Sequence, residues 1–194
     1  MSTMTIAKSE LILGGQKSGK SRRAELLARE WLAQSSTHRA VLIATAQPWD
    51  DEMRQRIARH QVDRAERVPG MTTVEEPLAL AAAIRQHGHA QTLVVVDCLT
   101  LWLTNRLMPA ESESKVPVAP VDIAPAASLL IAIAQAPGPV VLVGNEIGLG
   151  VIPMGREVRA FVDALGKLNQ DVAATCQRVT LMAAGLPLSL KDVA

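Results

Sequence analysis

The sequence predicts a single α/β domain over residues 1–194, a mostly parallel sheet flanked by helices. Three observations lead there. Strand-like and helix-like segments alternate along the chain, the pattern of βαβ units that pack helices onto both faces of a sheet. The run Thr92–Asp97 is continuous and rich in Val, as expected of a strand buried on both faces. Finally, Leu11–Leu13 runs directly into Gly14-Gly15-Gln16-Lys17-Ser18-Gly19-Lys20-Ser21 and then into a helical pattern. That is G-x-x-x-x-G-K-S between a strand and a helix, the setting in which the pattern signifies a phosphate-binding loop.

The elements follow in order. The helix after the loop extends to about Ala33, and Ala40–Thr45 is a short strand rich in β-formers. Asp50-Asp51-Glu52 opens a helix running to about His60, with acids in the first turn where the helix dipole favours them. Pro77 starts a helix over Leu78–Gln86, and a further helix through Trp102 follows the Thr92–Asp97 strand. Met108–Ala126 carries four prolines and reads as an excursion loop. A helix over Ala127–Gln135 precedes the strand Val140–Val143, and Gly144–Gly155 is loop-like. Val158, Phe161, Val162, Leu165, Leu168 and Val172 recur at helical spacing. Val179–Ala183 is the last main strand, with Pro187–Leu190 as a short edge strand. No repeat or linker divides the chain.

The loop carries the first chemistry. Its glycines let the backbone curl so that N–H groups point at phosphate oxygens, Lys20 reaches the β- and γ-phosphates, and the Ser21 hydroxyl sits on Mg²⁺. A second acid is needed near the metal, and Asp97 at the end of an apolar strand supplies it. Of the four histidines, His38, His87 and His89 lie in polar, loop-like or helix-end contexts. His60 shares a helix face with Met53 and Ile57. By spacing alone the favoured reading is a histidine near a helix C-terminus, where the dipole favours it, since no motif rule singles it out for catalysis. Asn145-Glu146-Ile147-Gly148-Leu149-Gly150 follows a strand as the phosphate loop does. It either lines the pocket or forms a structural turn, and it is not the Asn-Lys-x-Asp pattern of regulatory GTPases.

Composition narrows the function. Net charge is +1, without a basic tail or stripe, and the aromatics are three Trp, one Phe and no Tyr. Nucleic acid is therefore not expected as the partner. Cys98 and Cys176 read as buried core thiols, and no zinc-type Cys/His spacing occurs. The N-terminus lacks a signal-peptide apolar region and no apolar run reaches spanning length. A cytoplasmic protein without membrane insertion is expected.

Several segments together resemble the bifunctional adenosylcobinamide kinase/adenosylcobinamide-phosphate guanylyltransferases of cobalamin synthesis. They are Gly14–Ser21, Ile43-Ala44-Thr45-Ala46, Asp50-Asp51-Glu52-Met53 with Arg56-Ile57 and His60, Glu75-Glu76-Pro77, Val96-Asp97-Cys98-Leu99-Thr100, Gly144–Pro153 and Gly166-Lys167-Leu168-Asn169-Gln170. The resemblance implies a RecA-like phosphate-loop fold and two reactions. A nucleoside triphosphate, ATP or GTP, phosphorylates the aminopropanol hydroxyl of adenosylcobinamide. GTP then donates GMP to the new phosphate, giving adenosylcobinamide-GDP and pyrophosphate. In the family the second step passes through a guanylylated histidine, whose position His60 occupies; Arg59 stands where some members carry a second histidine. The resemblance also implies nucleotide contacts at Gly14, Gly15, Gln16, Lys17, Ser18, Gly19, Lys20, Ser21, Ala44, Thr45, Ala46, Gln61, Val62, Asp63, Arg64, Glu75 and Asp97. Mg²⁺ would sit at Ser21 and Asp97, and the assembly would be a homo-trimer.

Two other readings share the loop. A plain phosphate-loop small-molecule kinase would use Gly14–Ser21 and Asp97 but leave His60 idle. A RecA-type DNA-handling motor would need salt-dependent DNA binding, which near-neutral charge does not favour.

Overall fold

The computed structural model describes residues 4–108, 124–151 and 153–193. Most of the predicted Met108–Ala126 excursion, residues 109–123, and Ile152 therefore lie outside the described residues.

The strands are β1 (Ser9–Gly14), β2 (Arg39–Ala44), β3 (Met71–Glu75), β4 (Thr92–Asp97), β5 (Val140–Val143), β6 (Arg178–Ala183) and β7 (Leu186–Asp192). The helices are α1 (Lys20–Gln34), α2 (Asp51–Arg67), α3 (Leu80–His87), α4 (Leu99–Leu107), α5 (Ala124–Gln135) and α6 (Arg156–Thr175). The strands form one sheet in the order β3-β2-β4-β5-β1-β6-β7. All neighbours are parallel except β6 and β7. The expected mostly parallel sheet is thus present, with β5 inserted between the strand that carries the phosphate loop and the strand that ends in Asp97.

Alternation of side chains across each strand divides the core in two. On one face Ile12, Leu42, Leu93, Val95, Val141 and Val143 pack with Ala24, Leu27 and Ala28 of α1. On the other, Leu11, Leu13, Val94, Val96, Val140 and Leu142 meet apolar residues of α3, α4, α5 and α6. The central strands β1, β4 and β5 are buried on both sides, which explains their continuous apolar runs.

Three elements depart from expectation. The strand β3 has no counterpart in the predicted set. Its residues Met71-Thr72-Thr73-Val74-Glu75 are half-buried at best, because it is the sheet's edge and its outer flank has no partner. The helix α2 continues to Arg67 instead of stopping near His60. Nothing between Gln61 and Arg67 breaks a helix, Arg67 pairs with Asp63 one turn back at 3.2 Å, and the stop comes only at Pro69-Gly70. His60 is therefore a mid-helix residue, and the helix-end dipole explanation for it does not apply. The edge strand β7 is longer than Pro187–Leu190 and antiparallel.

The β6–β7 connection is two residues, Ala184-Gly185, with φ of 52° and 80°. Positive φ at both positions is the hairpin turn whose twist matches the strands. An L-residue with a side chain resists that conformation. Ala184→Gly is expected to stabilise the fold by about 0.5–1 kcal/mol, since relief of the left-handed strain exceeds the added unfolded-state entropy. A raised urea midpoint at unchanged m-value would check it.

Candidate active site

The C-terminal ends of the parallel strands form one row. Glu75 pairs in register with Ala44, Ala44 with Asp97, and Asp97 with Val143. Next to β5 stands β1, whose last residue, Gly14, opens the phosphate loop. Ligands gather at this edge of open α/β sheets.

The loop is shaped by close approach. Gly14 has φ +152°, and a Cβ there would lie 2.5 Å from the Met182 carbonyl oxygen and 2.6 Å from Ser18 Oγ. No side chain fits. Gly15, Gln16 and Lys17 form an exposed crown, while Ser18 is buried with its hydroxyl unpaired among the described residues. Lys20 is 8% exposed and its Nζ donates to the Gly15 carbonyl oxygen at 2.6 Å, closing the loop across its mouth. The hairpin turn braces the other side, where Gly185 N–H donates to the Ser18 carbonyl at 3.0 Å. The helix α1 starts at Lys20 after Gly19 as its N-cap, with no capping side chain and no acid in its first turn. Its first N–H groups are left for an anion.

Asp97 is half-buried, and its carboxylate makes no hydrogen bond or ion pair among the described residues. Two strand intervals separate it from β1, about 10 Å. Cys98 reports on the space between them. Its thiol is pushed up to about 11 by burial and then by the Asp97 charge, while Lys20 acts in the opposite sense. The carboxylate and the ammonium thus act on one buried point. A hydroxyl from Ser21 and an uncommitted carboxylate from Asp97 are hard oxygen donors, few in number, which fits Mg²⁺ held jointly with phosphates and water. No cluster of three or more His, Cys, Asp or Glu able to hold a metal by themselves occurs among the described residues.

Thr45 is fully buried and works as a hub. Its N–H donates to the Asp97 carbonyl at 3.0 Å, and its hydroxyl donates to the Cys98 carbonyl at 2.7 Å and accepts from the Cys98 N–H at 2.9 Å. Its own carbonyl accepts from Asn105 Nδ2 at 2.7 Å. The Ala44–Ala46 segment is thereby tied to the strand end bearing Asp97, and half-buried Ala44 and Ala46 flank the hub.

The remaining predicted residues lie farther along the row. Glu75, exposed at the end of β3, is four strand intervals from β1, about 19 Å. On α2, His60, Gln61 and Val62 are exposed, and His60 makes no hydrogen bond among the described residues. Asp63 is committed to Arg67, which also holds buried Glu25 of α1 at 3.0 Å. Arg64 is 7% exposed; it donates to Thr73 Oγ1 at 3.3 Å and keeps a buried Nε unpaired among the described residues. The C-terminal half of α2 is therefore anchored to α1 and β3, while the side chain of His60 stands in solvent.

Sequence reasoning missed Asn105 and gave no supporting role to Thr100 or Asn169, although both lie in segments that carry the resemblance. Asn105 secures Thr45, Thr100 Oγ1 accepts from Asn145 N–H at 2.9 Å, and Asn169 reaches the Asn145 carbonyl at 3.1 Å. Each is a polar residue on a helix face that otherwise faces the core, which was the available signal.

A phosphate loop on β1, an inserted β5 and an uncommitted acid at the end of β4 define a phosphate-loop nucleotide-binding protein of RecA-like architecture. The flagellar accessory protein FlaH of Methanocaldococcus jannaschii has a similar fold, with TM-score 0.52 at 12% identity over 96% of this chain and 79% of that one. Residues 10–190 match the family described as cobinamide kinase / cobinamide phosphate guanyltransferase, and the chain belongs to that family of bifunctional enzymes. It is 47% identical to the bifunctional adenosylcobalamin biosynthesis protein CobP of Pseudomonas aeruginosa, over 94% of this chain and 96% of the relative. The corresponding protein CobU of Escherichia coli is 35% identical over 93% of this chain and 98% of its own length. No helix among the described residues is long and apolar enough to cross a membrane.

Proposed function

We propose that this chain carries out both reactions at the phosphate loop, with His60 as the covalent carrier of GMP. In the first, the loop N–H groups and Lys20 hold a nucleoside triphosphate while the adenosylcobinamide hydroxyl attacks its γ-phosphorus. In the second, a neutral imidazole nitrogen of His60 attacks the α-phosphorus of GTP. The N–P bond forms, the bond to the bridging oxygen breaks, pyrophosphate leaves, and the imidazole proton is released. An oxygen of adenosylcobinamide phosphate then attacks the phosphoramidate and the N–P bond breaks, which restores the histidine. Mg²⁺ at Ser21 and Asp97 would supply neutralisation of phosphate charge.

One observation carries the histidine role: His60 stands exposed, without a hydrogen-bond partner among the described residues, on the helix that follows the Ala44–Ala46 segment. Its imidazole is therefore open to nucleophilic use. The anchored far half of α2 supports a motion in which the His60 turn closes over bound nucleotide. Residues Gln61 to Arg64 and Glu75 would contact the nucleotide's distal part. Self-association, a homo-trimer by the resemblance, is supported by β7, where Leu186, Leu188 and Leu190 are 71%, 57% and 55% exposed on an edge strand; the number of subunits rests on the resemblance alone. A cytoplasmic location accords with Cys98 and Cys176, which are both free thiols.

Incubation with Mg²⁺ and GTP labelled at the α-phosphate tests the carrier. Label that survives alkali but not acid is expected on the parent and is lost in His60→Ala. An unlabelled parent that still binds nucleotide would leave a plain kinase.

A further inference from the structure

We propose that Glu146 is a catalytic residue of the kinase step, accepting the proton of the attacking hydroxyl. The inference rests on the kinase reading above and adds the acceptor side of the reaction to it.

The phosphoryl donor side is complete in the loop, Lys20 and Asp97, but none of these serves the acceptor hydroxyl. Lys20 is a cation committed to the loop, and Asp97 suits the metal. Glu75 is about 19 Å across the sheet from β1. Glu146 alone among the strand-end acids is next to the loop. It follows β5, the strand paired with β1, and its N–H donates to the Gly14 carbonyl at 3.1 Å. Its carboxylate is held from two sides: Oε1 accepts from Gly148 N–H at 3.0 Å, and Oε2 lies 3.5 Å from Asn169 Nδ2. No cation pairs with it among the described residues, so it retains lone pairs for a substrate hydroxyl.

Asn169 is itself fixed. It is 4% exposed, and the two acceptors facing Nδ2 settle the orientation of its amide. Its Oδ1 is buried without a hydrogen-bond partner among the described residues. The amide nitrogen, shared between the Asn145 carbonyl and Glu146 Oε2, positions Glu146.

A groove of about 1030 Å³ opens at this carboxylate, bounded by Glu146, Leu149, Val151, Lys167 and Gln170. It lies on the α6 face of the sheet, whereas α1 and the phosphate loop's helix end lie on the other. An acceptor in the groove approaches the loop from the α6 face. The groove's mixed apolar and polar walls suit a large amphipathic molecule that presents one hydroxyl. In the step, the hydroxyl oxygen bonds to the γ-phosphorus and its proton passes to Glu146. The bond from that phosphorus to the bridging oxygen breaks, and the nucleoside diphosphate leaves.

The test compares the parent with Glu146→Gln and Glu146→Asp on adenosylcobinamide and nucleoside triphosphate, and separately on GMP loading from α-labelled GTP. Glu146→Gln is expected to lower kinase kcat by about 10²–10³-fold. The loss is confined to the kinase step, and Glu146→Asp recovers part of it. Kinase kcat within about fivefold of the parent would overturn the proposal, because general-base catalysis is worth more than that. So would an equal loss of GMP loading, which marks damage to the loop. A parent inactive on adenosylcobinamide would overturn the kinase reading itself, and that failure is visible without any variant.

Discussion

Lys20→Ala is expected to lower both phosphoryl and guanylyl transfer by at least about 10²–10³-fold. The ammonium is 8% exposed and is fixed on the Gly15 carbonyl at 2.6 Å, so its charge is held in place before nucleotide arrives. A preorganised cation in a site with little water costs no reorganisation when phosphate charge develops. Lys20→Arg is not a rescue. The guanidinium is larger, and the Gly15 contact leaves no room for its planar fork. Steady-state kinetics of adenosylcobinamide phosphorylation, together with label transfer from GTP, would measure the two losses. Both fall because the loop serves both reactions. The fold is expected to survive, with an unfolding free energy within about 1 kcal/mol of the parent. A variant that keeps either activity at parental level would separate the two sites.

The second large effect is on stability. Glu10 lies in the centre of the sheet, 1% exposed. Its Oε1 accepts from Arg23 Nε at 3.0 Å and from Thr180 Oγ1 at 2.8 Å. Its Oε2 is 3.5 Å from Arg178 Nη1, which donates to the Thr5 carbonyl at 2.6 Å. Arg178 also bonds Asp192 of β7 at 3.1 Å. One carboxylate thus joins β1, α1, β6 and, through Arg178, β7. Glu10→Ala leaves the largely buried Arg23 guanidinium without its carboxylate and Arg178 with Asp192 as its remaining acid, and is expected to cost about 3–5 kcal/mol. That is a large share of the roughly 5–15 kcal/mol that holds a domain folded. Glu10→Gln keeps the hydrogen bond to Thr180 and is expected to cost less. Urea titration at constant m-value would give both numbers. A loss below about 1 kcal/mol for the alanine variant would show that the network is dispensable.

What the sequence made legible divides by range. The phosphate loop, the apolar strands and Asp97 are local patterns, in which adjacent residues share one geometric demand, and they stand where the patterns placed them. The edge strand β3 escaped because Thr72, Thr73 and Glu75 face solvent, so no apolar period marks it. The length of α2 escaped because charged residues at 63 to 67 resemble a surface loop until their spacing is matched to a helix. The supports of the site were least legible. Thr45 meets Cys98 across 53 residues and Asn105 across 60, and only the folded sheet brings these groups together. Lone polar residues in apolar helices were the trace they left. Most polar residues at such positions serve no site, which is why the pattern alone did not single them out.

The hairpin brace bears on how the protein is made. A ribosome delivers the chain from its N-terminus, so the phosphate loop leaves the exit tunnel with the first strand. Both partners of that strand, β5 and β6, lie far downstream of it in the sequence, and so does Gly185, which holds the Ser18 carbonyl. Long-range parallel pairing is slow to form because the intervening chain must be closed first. Until those segments have been made, the nascent loop has neither its flanking strands nor its brace. The loop's nucleotide-binding shape is therefore expected only after β5, β6 and the β6–β7 turn have folded against it.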